Sequence, residues 1–336
     1  MPILEARHDL AHPVEGDTAW SESYYFNAYD PGTDSGFFTR IGVRPNEGTM
    51  DVGLSLWLPG GDLAEYRHVT EQHEAVDTVL EVGAVRYEML EALESWRITA
   101  DADVPARPCR GGAPANRTVH VALDVRFDAV TPAIGTDGQP RAGAGPQSAE
   151  AAAAAGTVGK GHLEQAGRWS GWLEIDGERH EWVGAHGNRD RSWGPRRWGG
   201  PKMWRWFSIN IGEDAHFGGI RLGTGAGDLH RGWVWDGERE RATSVAEWRV
   251  RTELADDAVT HRVVHLDVVD KRDQIYHLCG DVLRVADIGR AGGTMVNEGL
   301  ARWTLSDATG DDRTGYGICE YLHQLDDSGR PVVPVD

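Results

Sequence analysis

The feature that most constrains this chain is a two-residue alternation of apolar and polar side chains. In "VHVALDVRFDAV", Val119, Val121, Leu123, Val125 and Phe127 are apolar, while His120, Asp124, Arg126 and Asp128 are polar. Successive side chains of a strand point to opposite faces, so this is the pattern of a half-buried β-strand. "DVGLSLWL" repeats it, with Val52, Leu54, Leu56 and Leu58 on one face and Ser55 and Trp57 on the other. The chain also holds 43 glycines, and its apolar residues seldom recur at helical spacing. The expected fold class is all-β.

Turn signals agree. Asp176-Gly177 separates "RWSGWLEI" from "ERHEWVG", and Asp236-Gly237 follows "RGWVW"; Asp-Gly supplies the positive φ angles of tight hairpins. Helical signal is confined to "DLAEYRHVTEQHEAVD" (62–77), which reads equally as a polar loop, and to the alanine run 149–155. That run lies in a Gly/Ala/Pro-rich stretch, 135–160, with the composition of a linker or lid. With 336 residues, two domains are expected: 1–134, and 161–336 beyond the linker.

A formal net charge of −19 argues against nucleic acid and anionic membranes as partners, since both would repel it. No apolar run is long enough for a membrane span, and the start lacks a signal peptide's basic and apolar regions, so a cytoplasmic protein is expected. Cys109, Cys279 and Cys319 are far apart and odd in number, which predicts reduced structural thiols and neither a disulfide framework nor a zinc site. Asn116-Arg117-Thr118 matches a glycosylation acceptor, an accident in a protein that is not secreted. "LGTGAGDL" (222–229) alternates glycines but runs into a strand, so it reads as a turn and not as a nucleotide loop. Neither G-x-S-x-G nor H-E-x-x-H occurs.

The chemistry concentrates elsewhere. Seven of the 14 tryptophans fall between Trp169 and Trp206. Between His186 and Trp206 stand six basic residues, Arg189, Arg191, Arg196, Arg197, Lys202 and Arg205, against one acid, Asp190. If "MWRWFSINI" is a strand, Trp204, Trp206, Ser208 and Asn210 share one face and Met203, Arg205, Phe207 and Ile209 the other, so that one face would line a barrel cavity and the other pack outside. The arginines serve either as clamps that pair with acids and stack on indoles, or as binders of a polar substrate end. In an extended backbone Asn188, Asp190 and Ser192 point one way and Arg189, Arg191 and Trp193 the other. Asp190 then escapes its neighbours and is a candidate acid; folded onto the arginines, it is a salt-bridge partner and a poor proton donor.

"GNRDRSWGPRRW", with "HLEQAGRWSGWLEIDG" before it and "WRWFSINI" after it, resembles the carotenoid 1,2-hydratase (hydroxyneurosporene synthase) and AttH-like family, whose members carry R-D-H-S-W-G or H-D-H-N-W-G here. The likeness extends to "ESYYFNAYDPGTDSGFFTRIGVRPNEG" and to "NEGLARWTL…TGYGICEY". It implies two lipocalin-like antiparallel β domains, the second carrying the signature, and a pocket for a hydrophobic isoprenoid, polyene or polyketide-like molecule. Relatives hydrate an isolated C=C bond or, in the decalin-forming cyclases, template a Diels–Alder closure, with no metal and no redox cofactor. By position the resemblance makes Asp190, Arg191, Trp193 and Glu320 the catalytic candidates. His162, Trp204, Trp206, Ser208, Trp57 and Tyr25 are the candidates for substrate binding. Arg191 replaces a histidine implicated in hydration, and an arginine is a very poor general acid, which tilts the expectation toward cyclisation or isomerisation. A lipocalin-like carrier without chemistry, and a signature that merely struts two β domains, are the rival readings.

Overall fold

The computed structural model describes residues 3–109, 117–138, 156, 159–224, 227–289, 291–306 and 311–336. The alanine run 149–155, Asn116 and residues 225–226 of the glycine-rich turn lie outside them. The described residues are nearly all-β, with two single-turn 3-10 segments, Ala6–His8 and Ala291–Gly293. Among them, no helix is long and apolar enough to cross a membrane.

Two units are formed, one from the described residues within 3–138 and 159–196, the other from those within 197–336. The first contains β1 (Trp20–Asp30), β2 (Ser35–Arg44), β3 (Thr49–Trp57), β4 (Asp62–Glu71), β5 (Val79–Val82), β6 (Val85–Glu91), β7 (Ser95–Pro108), β8 (Arg117–Ala129), β9 (Ile134–Thr136), β10 (Gly161–Ile175) and β11 (Glu178–Pro195). Its antiparallel sheet runs β4-β3-β2-β1-β11-β10-β8-β7-β6-β5, and a short β4–β7 pairing from Asp62 to Ala64 joins the path back on itself. The enclosed core includes Phe26, Phe37, Trp96, Phe127, Trp169 and Trp182. The alternating apolar sets read from the sequence, Val52 to Leu58 and Val119 to Phe127, face this core.

The second unit is a closed eight-stranded antiparallel barrel of lipocalin-like type. Its strands are β12 (Met203–Ile211), β13 (Ala215–Thr224), β14 (Gly227–Asp236), β15 (Arg241–Leu254), β16 (His261–Asp270), β17 (Ile275–Gly289), β18 (Thr294–Ser306) and β19 (Arg313–Gln324), each bonded to the next, with β19 returning to β12. Closure removes every exposed strand edge.

Three sequence expectations change here. Residues 161–195, expected in the second domain, form β10 and β11 of the first unit: β11 pairs with β1 from Trp20 to Tyr29, and β10 pairs with β8. These strands cover two edges that β1 and β8 would otherwise leave open, a long-range pairing that composition does not encode. The 62–77 segment contains β4 in place of a helix; it pairs with β3, and its exposed middle gives it polar character. Asp176-Gly177 makes the tight hairpin between β10 and β11, with φ of 50° and 85°. After Asp236 the turn is longer, and Glu240 takes the left-handed conformation at φ 45°.

Candidate active site

The signature strand β11 lies between β1 and β10 in uninterrupted register from His186 to Trp193. Its side chains therefore alternate between two faces, as the sequence predicts for an extended chain.

Arg189, Arg191 and Trp193 take the core side. Arg189 donates to both Asp9 carboxylate oxygens at 2.7 and 2.9 Å and to Gln165 Oε1 at 2.8 Å. Arg191 Nη2 donates to Glu22 Oε2 at 2.7 Å and to the Tyr24 hydroxyl at 2.9 Å, and the guanidinium stacks over the Tyr24 ring at 4.4 Å. All four charged side chains are sealed from solvent, with exposures of 0–2%. Burial raises the Asp9 carboxyl pKa, but Arg189, Arg191 and the Leu93 N–H outweigh it and hold the group below the usual carboxylate range. Burial lowers the Arg191 pKa, and Tyr24, Glu22 and Asp9 more than reverse it, so the arginine stays charged. Trp193 stacks on His12 at 3.8 Å and passes over Gly161, where an added Cβ would lie 2.0 Å from the indole ring. Arg191 and Trp193, expected at the chemical centre beside Asp190, thus belong to a closed structural cluster on the other side of the strand.

Asp190 takes the opposite face. Directly paired residues of neighbouring strands share a face, so Arg40, Tyr25, Asp190 and Glu164 form one row across β2, β1, β11 and β10. An adjacent row runs Asp51, Gly42, Ser23, Ser192 and His162 across β3, β2, β1, β11 and β10. His162 Nε2 lies 3.0 Å from Asp190 Oδ2 and 3.8 Å from Glu164 Oε1. Burial lowers the imidazolium pKa, but the charge and hydrogen bond of Asp190, with Glu164 behind it, raise it above the ordinary histidine value. The pair is reachable, its side chains 31% and 21% exposed, whereas Ser23, Ser192 and Glu164 around it are buried. A protonated imidazole against a carboxylate in a half-open polar setting can give and recover a proton.

The remaining candidates divide between the two units. Tyr25 and Trp57 share the face of Asp190, and Trp57 is fully buried with its ring 5.0 Å from Phe38. Trp204, Trp206 and Ser208 lie on β12 in the second unit, on the side away from the barrel core; Phe207, Ile209 and Ile211 fill the interior. The sequence pattern separates the two sets without saying which faces inward. All nine β12 residues are buried, so the strand has no polar face to fix its orientation. Glu320, paired in register with Trp206 and Glu298, accepts the Trp204 indole N–H at 2.6 Å.

Sequence reasoning passed over Arg40, Glu164, Ser23 and Asp51. Arg40 was visible as a lone charge in "GFFTRIGV", but without the register nothing sets it beside Asp190. Among the described residues, no group of three or more His, Cys, Asp and Glu side chains is arranged to hold a metal ion. Cys319 is buried, and Cys109 and Cys279 are half-buried.

The fold has solved relatives. The Nitrosomonas europaea structure named a "putative AttH (NE1406)" superposes with a TM-score of 0.64 at 13% identity, over 97% of this chain and 100% of the other. Kievitone hydratase from Nectria haematococca matches at 0.59 and 15% identity, over 90% of this chain and 88% of that one. CghA matches at 0.56 and 13% identity, covering 92% and 89%. At such identities the likeness is one of fold. No curated protein matches the sequence. The model of the family described as "Domain of unknown function (DUF7064)" matches residues 5–325, and the chain belongs to that family.

Proposed function

We propose that the protein is an enzyme that adds water across a carbon–carbon double bond of a small, largely apolar molecule, with His162 and Asp190 as its acid–base pair. The observation that carries this reading is the 3.0 Å contact between the two groups on a half-open face, apart from the buried arginine cluster. The proton held between Nε2 and Oδ2 passes to one alkene carbon, and the π electrons form the new C–H bond. The cation left on the neighbouring carbon is offset by the Asp190 and Glu164 carboxylates. Water bonds to that carbon and loses a proton, which returns to the pair, so the sum is alkene plus water giving alcohol.

Arg191 stands where members of the resembling family carry histidine, and that substitution argued for cyclisation. Its side chain is engaged by Glu22 and Tyr24 on the far face of β11, so it takes no part in proton transfer at Asp190 and leaves His162 as the histidine of the site. A fold shared with kievitone hydratase is in keeping with the reading, and so is the resemblance to carotenoid 1,2-hydratases.

The test is turnover of a panel of isoprenoid and polyketide polyenes in deuterated water, followed by mass analysis. Hydration adds the mass of one water and places deuterium on carbon. Asp190→Asn and His162→Gln should each lower kcat by ~10²–10⁴-fold while lowering Tm by no more than about 4 °C. Full turnover by the Asp190→Asn variant sinks the proposal. Product of unchanged mass points to cyclisation or isomerisation, and binding without product to a carrier.

A further inference from the structure

The row that holds Asp190 also holds a cation whose bonding is incomplete. Arg40 Nε donates to Ser23 Oγ at 2.8 Å and Nη1 to Asp51 Oδ2 at 3.1 Å. Its Nη2 is buried and has no hydrogen-bond partner among the described residues. A buried guanidinium N–H without an acceptor costs free energy, and an oxygen supplied to it recovers that cost. Asp190 is among the charges acting on Arg40, and only Tyr25 separates the two along the row.

A glycine shapes the place where the guanidinium rests. A Cβ at Gly42 would lie 2.3 Å from Nη2 and 2.8 Å from Cζ, so only glycine leaves the guanidinium room above β2. Gly42 pairs with Ser23, which pairs with Ser192, which pairs with His162. The bare N–H groups therefore stand over the strand row that leads to the imidazole. Asp51, whose Oδ2 is bonded by Arg40 Nη1, turns its other oxygen to Arg44 at 2.8 Å.

We propose that Arg40 is a substrate-binding residue whose Nη2 N–H groups receive a carbonyl, carboxylate or phenolate oxygen, so that the ligand is an oxygenated unsaturated molecule and not a plain hydrocarbon. The inference rests on the acid–base reading only in placing that oxygen beside the reacting bond. A planar guanidinium, always charged and weakly hydrated, suits this task better than an ammonium, and its position is fixed in advance by Ser23 and Asp51.

The probes are β-ionone and its analogue with CH₂ in place of the carbonyl oxygen, titrated against the full chain and followed by ligand-observed NMR. Wild type should bind the ketone more tightly by roughly tenfold or more, the size of one charge-assisted hydrogen bond. Arg40→Met should bring the two probes to within about twofold of each other. Arg40→Lys keeps a cation for Asp51 but no spare N–H fork, and Gly42→Ala displaces the guanidinium without removing it; both should also erase the preference. These two variants carry the test if Arg40→Met fails to fold. Equal binding of the probes by wild type, no binding of the ketone, or a preference that survives in folded Arg40 and Gly42 variants overturns the proposal. The same titration in Asp190→Asn separates the two readings: an Arg40-dependent preference there stands even if Asp190 proves irrelevant to turnover.

Discussion

The two faces of β11 carry nearly the same chemistry to opposite ends. On the core side, Arg189 and Arg191 meet Asp9 and Glu22 with no solvent access and with most of their donors engaged. On the other side, Asp190 meets His162 while both stay partly open. A sealed ion cluster is committed: its charges are expensive to bury, so each must keep its partner, and none is available to a substrate. A half-open pair costs less to form and less to break, and its proton can move. Residues one position apart in sequence thus differ in role because one strand alternates its side chains between two environments.

The comparison is broken most sharply on the sealed side. Asp9→Ala leaves Arg189 as a buried charge without its carboxylate and removes the acceptor of the Leu93 N–H. The expected loss is ~3–5 kcal/mol of stability, a fall of roughly 6–20 °C in Tm for a unit of this size, read by thermal denaturation. If the Tm holds, the cluster is not the clamp described here.

A smaller effect is expected from Gly161→Ala. The new methyl would press on the Trp193 ring, which is also stacked on His12 at 3.8 Å. Overpacking of this kind costs ~1–3 kcal/mol, measurable as a shift in denaturant midpoint. Because Gly161 lies next to His162 in the chain, deuterium incorporation by the variant would also show whether clamp and acid–base pair can be disturbed separately.

Much of this division was legible before any coordinates. The alternation of residues 188–193 separates Asp190 from both arginines, and the 176–177 pair marks the hairpin that brings His162 back along β11. What the sequence could not supply was pairing between distant strands. Asp9 lies 180 residues from Arg189, and Arg40 reaches the Asp190 row only through the β1–β2 register. The domain boundary misled for the same reason: composition at 135–160 reports a break in apolar pattern, whereas membership of a sheet depends on which edge a later strand finds. On β12, burial of both faces erased the two-residue contrast that orients a strand.

The smallest effect belongs to the open pair, and it carries a pH signature that the sealed cluster lacks. Asp190→Asn should cost no more than ~1 kcal/mol, as expected of partly solvated ion pairs. Asp190 and Glu164 raise the folded-state pKa of His162 above the ordinary 6.5, so the folded protein holds that proton more tightly than the unfolded chain does. The contribution is therefore complete below pH 6.5 and fades as the pH rises through the raised folded value. Asp9 behaves in the opposite sense: its lowered pKa gives stability that persists at neutral pH and is lost only on acidification. Urea midpoints of wild type and Asp190→Asn, followed from pH 5 to pH 9, should converge at the alkaline end, and the NMR titration of His162 should shift downward in the variant. Midpoints that run parallel across the whole range would mean that no proton is shared between these two groups, and the acid–base role would pass from the pair to some other residue.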